Sequence, residues 1–171
     1  MAAIYVARSA KLGKWASDVG LSKHVYKFGY SDEDVNELVA RGWAGEDDWQ
    51  LVKSVTVDGA DETQLIERIA RREKIVDPRY YPRIRDATGL FKVDPAHVEN
   101  HILVARALAG EAERIALKLK PADFAVYLID VVRRWVVVQF EILRLLALSQ
   151  RHAMFQTWPL SALNVPAIPS S

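Results

Sequence analysis

Seven basic side chains fall within residues 68–85, against the acidic Glu73 and Asp77. Arginine and lysine neutralise phosphates and tyrosine rings stack on bases, so this basic segment, which also holds two tyrosines, is typical of a nucleic-acid interface. A solvated helix end is the alternative, because basic residues near a helix C-terminus stabilise its dipole. The residues that would contact nucleic acid are Arg68, Arg71, Arg72, Arg79, Tyr80, Tyr81 and Arg83.

His97 and His101 are four residues apart, which places them on one face of a predicted helix. Two histidines at this spacing can share a metal ion. The order His-Val-Glu-Asn-His lacks the glutamate that follows the first histidine in the metalloprotease motif, and the sequence offers no third ligand. We therefore interpret the pair as two solvent-facing helix residues.

Several classes of chemistry are excluded by composition. The chain has no cysteine, which rules out disulfides, thiolate zinc sites and cysteine nucleophiles. No Gly-x-x-x-x-Gly-Lys phosphate loop occurs. The N-terminus does not resemble a secretory signal, and the apolar stretch 124–148 carries charges through its middle, so we expect a cytoplasmic protein.

The first half of the chain alternates between strand and helix patterns. Strands are predicted at residues 3–7, 25–30, 49–57 and 89–93. One helix is predicted from an N-cap at Ser31 to Arg41, and another from Asp61 to Val76. This order predicts the α+β class, with a small sheet flanked by helices over residues 1–94.

The second half is helical. One helix is predicted to begin at Asp94-Pro95 and to keep a heptad seam from Val98 through Gly110 to Leu119. After Pro121 a second helix is predicted over residues 122–150, which completes a long C-terminal helical hairpin. The predicted divisions are thus a head (1–94), a helical region (95–157) and a proline-containing tail (158–171).

The helix predicted at 122–150 is apolar on most of its surface. The alanine-rich preceding helix and the small head offer little area to cover it, so self-association through residues 122–150 is expected. The alternative is that the helix packs entirely within one copy of the chain.

Two short motifs in the head resemble those of a nuclease superfamily. Ala3-Ile4-Tyr5 lies where a GIY motif would lie, and Lys27-Phe28-Gly29-Tyr30-Ser31 is similar to the Lys-Ile-Gly-Tyr-Thr string that often replaces YIG. A Trp-led strand at Trp49 and the Gly-Leu-Phe-Lys-Val strand follow in the expected order. Residues 3–103 therefore resemble the phage-type branch of the GIY-YIG superfamily.

The resemblance implies a single-metal DNA endonuclease. A tyrosine of the first motif would help to activate water, an arginine on the next helix would stabilise phosphorane charge, and a glutamate on a later helix would hold Mg²⁺. Carried over, the catalytic residues are Tyr5, Tyr26, Lys27 and Arg41, with Gly29 in the second motif. The metal ligand is Glu67, with Glu62 as the alternative; Tyr30 and Arg8 are possible substitutes for the second-motif tyrosine and for the arginine.

Three functions are consistent with these patterns. The first is a Mg²⁺-dependent endonuclease acting on DNA, dimerised by its C-terminal helices. The second is a nucleic-acid-binding module without catalysis that uses the basic segment. The third is an oligomeric interaction protein. The net charge of +1 means that any attraction to DNA must come from local charge and not from the whole molecule.

Overall fold

The computed structural model describes residues 2–57, 59–111 and 117–134 of the 171-residue chain. All of these residues belong to one compact unit, Met1–Arg134. The part of the predicted 122–150 helix beyond residue 134, and the predicted tail 158–171, lie outside the described residues. Within the described ranges, no helix is both long enough and apolar enough to cross a membrane.

Five antiparallel strands form one sheet, which confirms the predicted α+β class. The strands are β1 (Ala3–Ser9), β2 (Val25–Ser31), β3 (Trp49–Thr56), β4 (Lys74–Ile75) and β5 (Leu90–Lys92). Four strands lie where the sequence predicts them, and β4 was not predicted. The spatial order is β3-β1-β2-β5-β4, so β2 is the central strand and β1 lies between β2 and β3.

Helices cover both faces of the sheet. Strand alternation places Tyr5 and Lys27 on one face and Phe28 on the other. The helices are α1 (Ala10–Asp18), α2 (Val35–Arg41), α3 (Glu62–Ala70), α4 (Pro95–Leu108) and α5 (residues 121–134, as far as the chain is described), with a 3-10 turn at Pro82–Ile84. The first face packs on residues of α1 and α2, and aromatic and aliphatic residues of the second face are fully buried.

The N-terminus of α2 differs from the prediction. Ser31 is the last residue of β2, and Asp34 is the N-cap of the helix. The Asp34 carboxylate accepts hydrogen bonds from the backbone N–H groups of Asn36 (2.7 Å) and Glu37 (3.4 Å). A carboxylate at this position satisfies free N–H groups and complements the helix dipole, so the later of two suitable capping residues is used.

The helix predicted to reach Val76 ends at Ala70 instead. Its cap at Asp61 is confirmed, because that carboxylate accepts the Thr63 N–H at 2.8 Å. Lys74 and Ile75 leave the helix to pair with Lys92 and Phe91 of β5. The prediction was wrong because this strand pairing joins residues distant in sequence, which a helical periodicity does not reveal.

The heptad seam predicted to run to Leu119 is interrupted at Gly110. Helix α4 begins as predicted, with an Asp94 cap, but ends at Leu108. Gly110 has φ +80°, and the N–H groups of Gly110 and Glu111 donate to the carbonyls of Ala107 (3.1 Å) and Arg106 (2.9 Å). This is the Schellman arrangement that ends helices, and glycine adopts its left-handed conformation without strain.

The apolar residues at the start of the predicted 122–150 helix are buried within one copy of the chain. Phe124, Leu128, Ile129 and Val132 are at most 1% exposed. The described part of this helix therefore does not need a second copy to cover it. Leu103, Val104 and Leu108 of α4 are instead exposed, with Leu108 at 81%.

Replacing Gly110 by alanine tests where α4 ends. Alanine at φ +80° is strained, so we expect Gly110→Ala to lower the free energy of unfolding by about 1 kcal/mol, measured by urea denaturation. Ala107→Gly, inside α4, gives a reference loss of about 1 kcal/mol from helix propensity. A stabilised Gly110→Ala variant would contradict the structure, because alanine stabilises only a helix that continues through residue 110.

Candidate functional site

Tyr5, the tyrosine of the first motif, lies directly over Gly29 of the second motif. The two residues are partners in the β1–β2 register. A Cβ atom added to Gly29 would lie 2.3 Å from the Tyr5 hydroxyl oxygen, closer than any side chain tolerates. The glycine is therefore required by the position of the tyrosine, which ties the two motifs to each other physically.

The loop between α2 and β3 covers Tyr5 with an indole ring. Trp43 stacks on Tyr5 with the ring centroids 5.9 Å apart, and its own carbonyl accepts the Trp49 indole N–H at 2.9 Å. Gly42, at φ +70°, allows the backbone to turn there. Tyr5 is only 3% exposed as a result. Sequence reasoning missed Trp43, although a tryptophan between two glycines was a detectable signal.

Lys27 lies on the same face of the sheet as Tyr5. Its Nζ is 5.7 Å from the Tyr5 ring centroid and 5.3 Å from that of Trp43, and it donates a hydrogen bond to the Phe28 carbonyl at 3.0 Å. Lys27 is 3% exposed. Burial lowers the pKa of its amine to about 8, and the negative charge of Glu62 partly opposes that effect.

Of the two candidate metal ligands, Glu62 lies near this pair. The Glu62 carboxylate accepts the backbone N–H of Tyr30 at 3.2 Å, next to Gly29 in β2. Burial raises the pKa of the Tyr5 phenol, and the charges of Glu62 and Glu33 raise it further. Glu67 follows Glu62 by five residues, so it lies about 140° away from Glu62 around the axis of α3. Its side chain is exposed. No hydrogen bond joins Glu67 to Tyr5 or Lys27 in the described part of the chain.

Arg41 forms an exposed ion pair with Glu33. Because the Glu33 charge acts on Tyr5, this pair lies on the Tyr5 side of the molecule. Arg8, the other candidate arginine, lines a different cavity with Lys23, His24 and Tyr26. Arg41 is thus linked to Tyr5 only through the Glu33 charge, while Arg8, on the same strand as Tyr5, lines a cavity elsewhere.

Tyr26 lies on the opposite face of β2 from Lys27. Its ring stacks on Phe124 of α5, with the centroids 5.1 Å apart. Burial raises the pKa of its phenol to about 12. The structure therefore places Tyr26 in the core below the sheet, apart from Tyr5, Lys27 and Glu62.

The basic segment is divided between different surroundings. Arg83 forms an ion pair with Glu46 and lies 5.7 Å from the Trp15 ring centroid, which Tyr81 also contacts edge-on. Arg72 instead lines a cavity beside α4 and α5. Of the remaining residues predicted to contact nucleic acid, Arg68 is half-buried. The others are exposed: Arg71, Arg79 and Tyr80.

Comparisons of this chain with protein-family models, with curated proteins and with solved structures found no match. The site is therefore interpreted from its own geometry.

Proposed function

We propose that this chain is a metal-dependent endonuclease that hydrolyses DNA phosphodiesters, with Tyr5, Lys27, Arg41 and Glu62 as its site residues. The observation that carries the proposal is the convergence of Tyr5, Lys27 and Glu62 from β1, β2 and the start of α3. The contact between Tyr5 and Gly29 adds support, because it links the two motifs that resemble the GIY-YIG superfamily.

Glu62 is a suitable ligand for Mg²⁺. Its carboxylate is exposed, and Mg²⁺ typically binds to one or two carboxylates while keeping waters and substrate phosphates. The described residues contain no group of three histidines, cysteines or acids that could hold an ion, so in this proposal Glu62 would be a single protein ligand and waters and phosphate would have to complete the coordination. A bound Mg²⁺ would neutralise phosphate charge and act as a Lewis acid.

The protein's own groups have distinct roles in this proposal. The raised pKa keeps the Tyr5 phenol protonated, so it acts as a hydrogen-bond donor that orients water or a phosphate oxygen. Lys27, with a pKa of about 8, holds a proton at neutral pH that it can release readily. Arg41 can leave its exposed pair with Glu33 at little cost and reach a phosphate.

A second candidate is a nucleic-acid-binding module without cleavage. The observation that favours it is the coverage of the site: Tyr5 and Lys27 are each 3% exposed beneath Trp43. Catalysis requires displacement of the Trp43 loop, whereas binding through exposed Arg71, Arg79 and Tyr80 does not. Salt-dependent DNA binding without turnover would favour this second function.

A paired substitution on α3 tests the nuclease proposal. We expect the purified protein to cleave single-stranded, double-stranded or branched DNA with Mg²⁺ or Mn²⁺. Glu62→Gln should reduce the cleavage rate at least about 100-fold, because it removes the carboxylate charge next to Tyr5 and Lys27. Glu67→Gln on the same helix is the matched control and should cleave at the wild-type rate.

Two results would argue against this assignment. Equal loss of activity in the Glu62 and Glu67 variants would indicate a general effect on α3. Absence of cleavage of all three substrates, at concentrations where the DNA is bound, would favour the binding module.

Lys27 should decrease the stability of the fold at neutral pH. Its pKa in the folded chain is about 8, below the ordinary value of 10.5, so between these values the unfolded chain binds the additional proton. Stability attributable to Lys27 therefore rises with pH, by about 2 kcal/mol between pH 8 and 9.5. Lys27→Met should remove this rise and stabilise the protein at pH 7 by roughly 1–3 kcal/mol.

Urea denaturation at several pH values measures both effects. Lys53→Met, which replaces an exposed lysine of β3, is the control and should leave the pH profile unchanged. A Lys27→Met variant that is less stable than the wild type at pH 7 would show that the buried amine is a structural contact and not a strained functional group.

A further inference from the structure

A cavity of about 520 Å³ lies beside α4 and α5, at the turn that follows α3. It is a different place from the Tyr5 site, since its lining comes from other elements. Most of its lining side chains carry hydrogen-bond donors. The lining residues within the described part of the chain are Arg72, His97, Asn100, His101, Val104, Tyr127 and Arg134.

Both histidines contact carboxylates. The burial of His101 corrects its interpretation as a solvent-facing residue, whereas the side chain of His97 is 47% exposed, as the sequence predicted. His97 Nδ1 lies 2.7 Å from Glu73 Oε1, and His101 Nε2 lies 3.1 Å from Asp130 Oδ2. The side chain of His101 is only 17% exposed. Each imidazole therefore has one nitrogen engaged by an acid and a second nitrogen that this bond leaves available.

Glu73 is the buried anchor of this arrangement. It is 4% exposed and accepts hydrogen bonds from the Tyr127 hydroxyl (2.7 Å) and the Asp94 N–H (3.0 Å), besides contacting His97. Burial and the Glu73 charge raise the pKa of the Tyr127 phenol, while Arg72 opposes them. Arg72 is thus close to the phenol, on the cavity side of Glu73.

The charged side chains among the described lining residues, Arg72 and Arg134, are both positive. The carboxylates of Glu73 and Asp130 are not among the lining residues, and each contacts a histidine, whose imidazole offsets a carboxylate charge only when it is protonated. Neither Arg72 nor Arg134 forms an ion pair with any residue in the described ranges. Two guanidinium groups and the Asn100 amide therefore present donors to one space, which suits an anion.

We propose that this cavity binds the phosphate group of a small phosphorylated ligand. A guanidinium group can donate two parallel hydrogen bonds to phosphate oxygens, and the Asn100 amide adds a further donor. The volume falls within the range of small-molecule pockets and is suitable for a mononucleotide, whose base could contact the exposed Val104. The inference is independent of the proposed nuclease, because it uses none of Tyr5, Lys27, Arg41 or Glu62.

Neighbouring arginines provide matched controls for the test. Arg72 and Arg134 line the cavity, whereas the exposed Arg71 and Arg133 precede them in the chain and do not. Binding of 5′-AMP to the full chain is measured by titration calorimetry. We expect Arg72→Gln and Arg134→Gln to weaken binding at least about tenfold, and Arg71→Gln and Arg133→Gln to leave it unchanged.

Further ligands define what the cavity recognises. Binding of inorganic phosphate or adenosine shows which part of the nucleotide contributes, and we expect phosphate to compete with 5′-AMP while adenosine does not. A 5′-phosphorylated DNA oligonucleotide that binds more tightly than 5′-AMP, with the same arginine dependence, would identify the phosphate source as a DNA end.

Three outcomes would overturn the proposal. The first is that none of 5′-AMP, inorganic phosphate and the oligonucleotide binds. The second is an equal loss of 5′-AMP affinity in the Arg71 and Arg72 variants. The third is stabilisation of the fold by Zn²⁺ that persists in Arg72→Gln and is lost in His97→Gln. Urea denaturation of each variant distinguishes lost binding from lost folding.

Discussion

The buried carboxylate of Glu73 is the interaction on which the described structure most depends. It lies in the turn between α3 and β4 and accepts hydrogen bonds from the Asp94 backbone and from Tyr127 of α5, and it contacts His97 of α4. Burial of a carboxylate that is only 4% exposed costs free energy unless hydrogen-bond donors satisfy its oxygens. The donors to Glu73 must therefore all be in place in the folded chain. One side chain thereby fixes both helices against the edge of the sheet, and the phosphate cavity proposed above exists only because of that docking.

The second constraint is the contact of Tyr5 with Gly29. Because the Tyr5 phenol lies over Gly29, no side chain larger than that of glycine fits at position 29. The Trp43 indole stacks on the Tyr5 ring. Burial of Lys27 in the same place lowers its pKa to about 8, which costs stability. Natural proteins tolerate such costs mainly where they serve a function, which is a physical reason to regard Tyr5 and Lys27 as a site and not as ordinary core.

The sequence was sufficient to predict the elements whose positions depend on local patterns. Strand alternation located β1, β2, β3 and β5, and capping residues located the starts of α3 and α4. It failed where distant residues decide the outcome. Lys74 and Ile75 fit a helical pattern, but they pair with β5 in the structure, and His101 fits a solvent-facing position, but Asp130 of α5 contacts it and its side chain is only 17% exposed. The choice between Glu62 and Glu67 likewise depended on how α3 is rotated against β2, which no motif spacing specifies.

The two sites differ in the exposed charges that they present, because Glu62 and Glu33 act on Tyr5 whereas Arg72 and Arg134 line the cavity beside α4. Much of the acidic segment 31–48 is engaged in structure, because Asp34 caps α2, Asp48 accepts the Lys11 N–H and Glu46 binds Arg83. Glu33 nevertheless acts on Tyr5 together with Glu62, so a DNA phosphate approaching Tyr5 meets negative charge. The catalysis proposed at Tyr5 would need a cation bound to Glu62, or Arg41 released from Glu33. The charged side chains in the described lining of the cavity beside α4 are two arginines without described ion pairs, which is why we propose that it receives a phosphate without a metal ion.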